Sequence, residues 1–330
     1  MHIPDGVLAP EVCAATGAIS LGAIGYSLYK LKDSLADRTV PMTGMAAAVI
    51  FAGQMVNFPL IGAPVSGHLI GGVLAAAILG PYAGCIAVAL VLLVQCLLFA
   101  DGGWFALGAN VLNMAVIGAM GGHVVFQSVR RWFGEGTGGT ITGAVVASWL
   151  SVMAAAAVFC IEFGLSWRSA DLSLSNLFAL MVMYHSAIGI GEAVITGSVV
   201  AFVLAQRPDL IYEPAVTRSP LVGLGRVVLT GAVCALAVAA FLAPFAAEDP
   251  DGLEAVGQRV FPERLETEPT VLWLADYEVP LPWEGWQNSP LWKKVSVSLA
   301  GLIGTGAMLV LPVALSRTRR ATVAGADDGK

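Results

Sequence analysis

The sequence is short of charge. Of its 330 residues only 12% are Asp, Glu, Lys or Arg, against roughly 25% in a soluble domain, and the mean hydropathy is +0.79. That deficit points away from a soluble globule and towards a polytopic membrane protein. The 17 basic residues form no single patch, so no nucleic-acid partner is expected. Five cysteines (Cys13, Cys85, Cys96, Cys160, Cys234) fall in apolar runs without CxxC spacing and read as small buried hydrophobes in helices. There is no GxxxxGK[ST] phosphate loop, so the chain cannot power ATP-driven transport alone. HExxH and GxSxG are also missing, and nothing indicates an enzyme. No basic segment precedes the apolar stretch Val7–Leu28, so a cleaved signal peptide is not expected. Methionine aminopeptidase trims before small residues, and Met1 is therefore expected to stay in front of His2.

What is present is a series of apolar stretches, at about 11–31, 42–57, 66–80, 82–100, 104–126, 139–163, 177–204, 225–246 and 291–315. They predict an all-α membrane protein of nine spans. The stretches 42–57 and 66–80 fall short of the ~20 residues a span needs, and are expected to be tilted or broken. With the N-terminus outside, Lys30/Lys32/Arg38, Arg130/Arg131, Arg207/Arg218/Arg226 and Arg317/Arg319/Arg320 share the cytoplasmic side, as the positive-inside rule asks. Arg168, Arg259, Arg264 and Lys293/Lys294 are the exceptions. The N-terminus, the loop before His68, Asp101 and the segment 247–290 then face outward. Small residues at Gly17, Gly22, Gly118, Gly121 and Gly122 predict close helix packing.

Residues 248–290 carry ten acidic and two basic residues among six prolines. The segment reads as an external loop. Two readings are open for its charge: an acidic mouth that concentrates cations, or a merely solvated loop.

Four histidines stand out. In Met1-His2-Ile3-Pro4-Asp5-Gly6, the terminal nitrogen, the His2 amide nitrogen and the His2 Nδ1 can wrap one metal in fused chelate rings. Such a chelate leaves one corner of a square for a partner. Tetragonal nitrogen coordination suits Ni(II), Cu(II) or a constrained Co(II). The alternative is an incidental polar residue at a frayed terminus. His68, in Ala63-Pro64-Val65-Ser66-Gly67-His68, is the natural fourth ligand or, alternatively, an interfacial histidine capping a helix. His123 lies at the expected cytoplasmic end beside Arg130 and Arg131 and reads as a headgroup-level residue. His185 and Glu192 sit in one span, and Gln54, Asn57, Asn110 and Asn113 are further polar groups at depth. Unpaired polar groups are costly in hydrocarbon. These residues are expected to form a network, as support for His2 and His68 or as simple interhelical hydrogen bonds.

These residues, with Phe51-Ala52-Gly53-Gln54-Met55-Val56-Asn57-Phe58-Pro59, Ser66-Gly67-His68-Leu69-Ile70-Gly71, Asp101-Gly102-Gly103, Leu107-Gly108-Ala109-Asn110 and Ile188-Gly189-Ile190-Gly191-Glu192-Ala193, resemble the CbiM/NikM family. Its members are the metal-binding membrane (S) components of energy-coupling-factor ABC transporters for cobalt and nickel. The likeness covers roughly residues 1–205. Pro250-Asp251-Gly252-Leu253-Glu254 is similar to the signature of the two-span NikN/CbiN-type partner, so the chain resembles a fusion of the two.

The resemblance implies a seven-helix metal-capturing module (1–205), a cytoplasmic linker (206–224), a two-span module with an extracytoplasmic loop (225–320) and a cytoplasmic tail (321–330). It implies metal ligation by the Met1 amine, the His2 amide and imidazole, and His68, with Gln54, Asn57 and His185 as supporting residues. It also implies a coupling protein and ABC ATPases as partners, the cell membrane as location, and Ni²⁺ or Co²⁺ as cargo rather than a resident cofactor. The competing reading is a stand-alone secondary transporter or channel for divalent cations.

Overall fold

The computed structural model describes residues 1–32, 38–167, 173–213, 223–265, 274–280 and 289–327. Arg168, Arg218 and the acidic residues Glu266, Glu268 and Glu284 lie outside the described residues.

The chain is nearly all helical, and among the described residues seven helices are long and apolar enough to cross a membrane. These are α1 (Pro10–Leu31), α4 (Pro81–Phe99), α5 (Leu107–Phe133), α6 (Thr137–Ser166), α7 (Leu174–Gln206), α8 (Leu224–Phe245) and α10 (Pro290–Asp327). Two shorter helices, α2 (Thr39–Gln54) and α3 (Gly72–Leu79), complete the bundle, and α9 (Gly252–Val260) lies in the segment between α8 and α10. Helix starts follow local chemistry. Pro10 and Pro81 open α1 and α4, where a missing N–H costs nothing. Ser173 and Asp251 cap α7 and α9 by accepting from Asn176 N–H and Glu254 N–H.

Of the two doubtful spans, the first is an unbroken helix, α2, and the second is broken. The stretch expected as a helix over 66–80 is helical only from Gly72. Before it, Ser66–Gly67 pairs antiparallel with Phe58–Pro59, and residues 68–71 are not helical, with Gly71 at a positive φ of 75°. Backbone groups freed in this way need partners at membrane depth. Glu192 supplies them for Ile70 N–H and Gly71 N–H, at 2.6 and 2.9 Å. The eight residues of α3 reach only about 12 Å, too short to cross a membrane.

Small residues set the closest crossings. A Cβ on Gly108 of α5 would collide with the backbone of Gly17 in α1, and Ser20 donates across the same contact to the Gly108 carbonyl at 2.7 Å. Eleven of the 16 residues of α2 are buried, because α8 and α10 cover them from outside. Gly44 packs on the Met308 and Leu309 carbonyls, and Gly304 lies against Phe51. Leu21, Ile190, Phe202, Leu229 and Phe241 remain exposed, as expected of side chains turned to lipid.

The ends of the bundle differ in chemistry. One gathers the N-terminus, the loop before His68, Asp101 and the segment after α8. The other gathers basic residues: Arg130 pairs with Glu213 at 2.6 Å and Arg207 with Asp209 at 2.7 Å. His123, expected at headgroup level, is buried there. Tyr212 N–H donates to the Ala77 carbonyl at 2.7 Å, and this return of the chain places the Tyr212 ring edge-on to His123 at 5.4 Å.

Residues 248–265 are more than a solvated loop. The helix α9 buries Leu253, Ala255 and Val256 and leaves Glu254 and Gln258 outside. Beyond it Phe261 packs on Phe163 at 4.7 Å, and Arg264 lies 3.3 Å over the Trp167 ring. The acidic residues and prolines of this segment mask a nine-residue amphipathic helix in the sequence. Only docking onto α6 and α7 gives its short apolar face something to bury.

Candidate metal centre

The first eight residues do not fray; they are threaded into the end of the bundle and held at every second or third position. Gly6 takes a positive φ of 84°, completing the turn that Pro4 and Asp5 begin. The Asp5 carboxylate then accepts from Trp104, Phe105 and Ala106 N–H at 2.8 to 3.1 Å. Ile3 is fully buried. Its N–H donates to Asn110 Oδ1 at 2.8 Å, and its carbonyl accepts from Gly103 N–H at 2.9 Å and Asn110 Nδ2 at 3.1 Å. Trp167 Nε1 donates to the Val7 carbonyl at 2.7 Å, and Ala9 N–H donates to Ser166 Oγ at 3.0 Å. In α5, Val111–Gly121 is wound as a π-helix immediately after Asn110, a winding often found where a helix serves a site.

The result is a buried amino group. The Met1 nitrogen contacts His68 Nε2 directly and lies 3.0 Å from Asp251 Oδ2. The His68 ring is oriented by its other nitrogen, with Nδ1 3.0 Å from the Leu69 carbonyl. Donation there leaves Nε2 as the lone-pair nitrogen facing Met1, the tautomer a metal ligand needs. The His2 ring stacks on that of His68, with centroids 5.1 Å apart and planes 20° apart. Its Nδ1 lies 3.2 Å from Asp101 Oδ1 and its Nε2 3.1 Å from Gln95 Oε1. Gln95 in turn donates to Gln54 Oε1 at 2.8 Å, and Gln54 donates to the Ile70 carbonyl at 3.0 Å.

Burial pushes the His2 imidazole down to about 4, and Asp101 offsets this only in part. The ring is therefore neutral, and one of its two nitrogens carries a free lone pair at physiological pH. Burial opposes the Asp251 charge, but the Met1 ammonium and His68 outweigh it and hold the carboxyl well below its ordinary range.

The candidate residues thus fall into groups. The structure brings Met1, His2 and His68 together. Gln54 is tied to His2 through Gln95, and His185 packs beside Met1, His68 and Gly252 with Nδ1 against its own Met181 carbonyl. Asn57 stands apart: it lines the outer cavity, and its backbone carbonyl accepts from Ala247 N–H. Glu192 holds the 70–71 backbone, and Asn113 donates to Glu162 in the interior at 2.9 Å. Sequence reasoning did not single out Gln95, Asp251 or Tyr277, whose hydroxyl donates to Asp101 Oδ2 at 2.6 Å. Gln95 had a signal, as the one amide in an otherwise apolar span. Asp251 stood in the Pro250-Asp251-Gly252-Leu253-Glu254 signature with nothing to show its place, and Tyr277 had no signal, since only the folding back of the last part brings them here.

Among the described residues no three His, Cys, Asp or Glu side chains converge to hold a metal. A cavity of about 850 Å³ opens at this end of the bundle, reaching His2 and His68 from a rim that includes Glu248, Asp249, Glu254 and Glu278. Lys293 and Lys294 line the same rim, and Lys293 pairs with Glu248 at 2.8 Å.

The comparisons agree with this architecture. The CbiM family model, described as the cobalt uptake substrate-specific transmembrane region, matches residues 2–210, and the PDGLE domain matches residues 225–321. A chain named as a fused nickel transport protein, NikMN, of Archaeoglobus fulgidus is 36% identical over 97% of this chain and 99% of its own length. The cobalt transport protein CbiM of Sorangium cellulosum is 30% identical over 66% of this chain and 97% of its own. A crystal structure of a truncated transition metal transporter superposes with a TM-score of 0.56 at 33% identity, covering 62% of this chain and 99% of that one. This multi-pass membrane chain belongs to the CbiM family of cobalt and nickel transport components, with a PDGLE domain following in the same polypeptide.

Proposed function

We propose that the chain is the metal-capturing S component of an energy-coupling-factor ABC transporter for Ni²⁺ or Co²⁺. Residues 1–205 capture the ion, 206–224 link, 225–320 form the accessory two-span module and 321–330 the tail. The Met1 amine, the His2 amide nitrogen and Nδ1, and His68 Nε2 ligate the ion on the extracytoplasmic side. A separate coupling protein and ABC ATPases supply the energy, since the chain has no phosphate loop of its own. The observation that carries the reading is the Met1 nitrogen, buried and in contact with His68 Nε2. An amine is seldom buried in a membrane protein without a use. For the chelate to close, His2 Nδ1 exchanges its contact with Asp101 for the metal, and the amine and amide release their protons.

Titration of the purified chain with Ni²⁺ and Co²⁺ tests this. One equivalent is expected, lost in His2→Ala and in His68→Ala. Retention of that equivalent in both variants would sink the ligand assignment. Uptake into liposomes by the chain alone, without ATPases, would instead favour a stand-alone transporter.

A further inference from the structure

We infer that Asp251, from the PDGLE part of the chain, supplies an oxygen ligand to the same metal, so that the ion is closed in by both parts of the polypeptide. This rests on the metal-site reading above. Three donor atoms already converge: the Met1 nitrogen, His68 Nε2 in contact with it, and Asp251 Oδ2, 3.0 Å from the first and 3.6 Å from the second. Donors about 2.1 Å from a divalent metal and at right angles to each other lie about 3 Å apart. Asp251 Oδ2 therefore stands where a neighbouring ligand of the Met1 nitrogen and His68 belongs.

The carboxylate is built into this position. Ser66, two residues before His68, donates its N–H to the Pro250 carbonyl at 2.8 Å and its hydroxyl to the Asp249 carbonyl at 2.7 Å. A parallel bridge joins Ser66 to Asp251. On the other side, Asp251 Oδ1 is committed to the cap of α9, accepting from Glu254 N–H at 2.8 Å. That leaves Oδ2 alone to face the amine and His68. Gly252 then packs against the His185 ring, so the backbone next to the carboxylate has little room to withdraw.

The terminal chelate and His68 offer four nitrogens in a plane, an arrangement that suits low-spin nickel and copper. The Asp251 oxygen would come in addition to that set, as a fifth ligand. It makes the site five-coordinate, adds a negative charge and favours ions that accept five or six ligands, Co²⁺ among them. The PDGLE part thereby takes a direct share in capture and in metal choice.

The experiment is nickel K-edge X-ray absorption on the full chain loaded with one equivalent of Ni²⁺, beside Asp251→Asn and Asp251→Ser. Serine keeps the helix cap but is too short to reach the metal, and circular dichroism checks that α9 and the bundle are intact. The expected result is five neighbours in the wild type. In Asp251→Ser four remain, the pre-edge feature of planar nickel appears, and the affinity falls at least about tenfold, as when metal ligands lose even an outer partner. Unchanged coordination in Asp251→Ser, with equal or higher affinity, would overturn the inference and leave Asp251 as a counter-ion of the ammonium. Failure of the wild type to bind nickel at all would instead overturn the metal-site reading itself.

Discussion

Asn110 grips Ile3 by both of its backbone groups, accepting from the N–H at 2.8 Å and donating to the carbonyl at 3.1 Å. Asn110 is almost fully buried and Ile3 completely so, so neither bond has water as a substitute. The pair fixes the height at which the chain enters the bundle, and with it the position of the amino group two residues earlier. Asn110→Ala leaves a buried N–H without a partner, a loss of about 1–3 kcal/mol. Nickel affinity is expected to fall roughly tenfold to a hundredfold, read by titration, with the helical content unchanged.

Glu192 does for the non-helical segment before α3 what Asn110 does for the terminus. Its two oxygens accept from Ile70 and Gly71 N–H, in a stretch with no helix to satisfy them. Glu192→Ala orphans both donors, at about 1–3 kcal/mol each. A clear drop in thermal unfolding temperature in detergent is expected, together with weaker metal binding because His68 lies two residues upstream. Glu192→Gln keeps one acceptor and should fall between. A thermal midpoint equal to the wild type in Glu192→Ala would refute this role.

The pH dependence has a definite sign. Folding lowers the His2 pKa from 6.5 to about 4. Between those values the unfolded chain binds more protons than the folded one, so stability is complete above pH 6.5 and declines as the pH falls towards 4. A thermal midpoint measured from pH 7 to 4.5 should drop less steeply in His2→Gln than in the wild type. Nickel affinity should keep rising above pH 6.5, where His2 is already neutral, because the amine and amide must still lose protons.

The rim carboxylates Asp249 and Glu278, which among the described residues are without the lysine partner that Glu248 has, are expected to act at a distance. Neutralising Asp249 and Glu278 together (Asp249→Asn, Glu278→Gln) should slow nickel association several-fold at low ionic strength and leave dissociation nearly unchanged. The difference should vanish in high salt. Stopped-flow binding at two salt concentrations checks both points.

Much of this was legible in the sequence, for reasons that can be named. Long apolar runs such as 82–100 and 177–204 can only be helices in a membrane, and α4 and α7 follow them. The irregular passage before His68 was signalled by Pro64 and Gly67 and by a run too short to span. His2 drew attention through its distance from an amine, a local relation that needs no fold. The contributions of Asp251 and Tyr277 were not legible, because they depend on the segment after α8 folding back, with α9 against α7 and Tyr277 against Phe99 of α4. A charged, proline-rich stretch has too little apolar periodicity to announce that. His123 was misplaced for a similar reason: its cover, Tyr212, comes from a segment whose return beneath α3 no local pattern records.

The central claim is that the Met1 nitrogen is a metal ligand, and the most direct measurement is nickel titration of the chain with two glycines added before Met1, since a single one would put the histidine third from the amine, where it fills all four corners of planar nickel unaided. The addition converts the amine into an amide and displaces the new terminus from His68, while every side chain stays in place. Loss of the bound equivalent, with the fold intact by circular dichroism, is the expected result. Binding of one equivalent at wild-type affinity would contradict it.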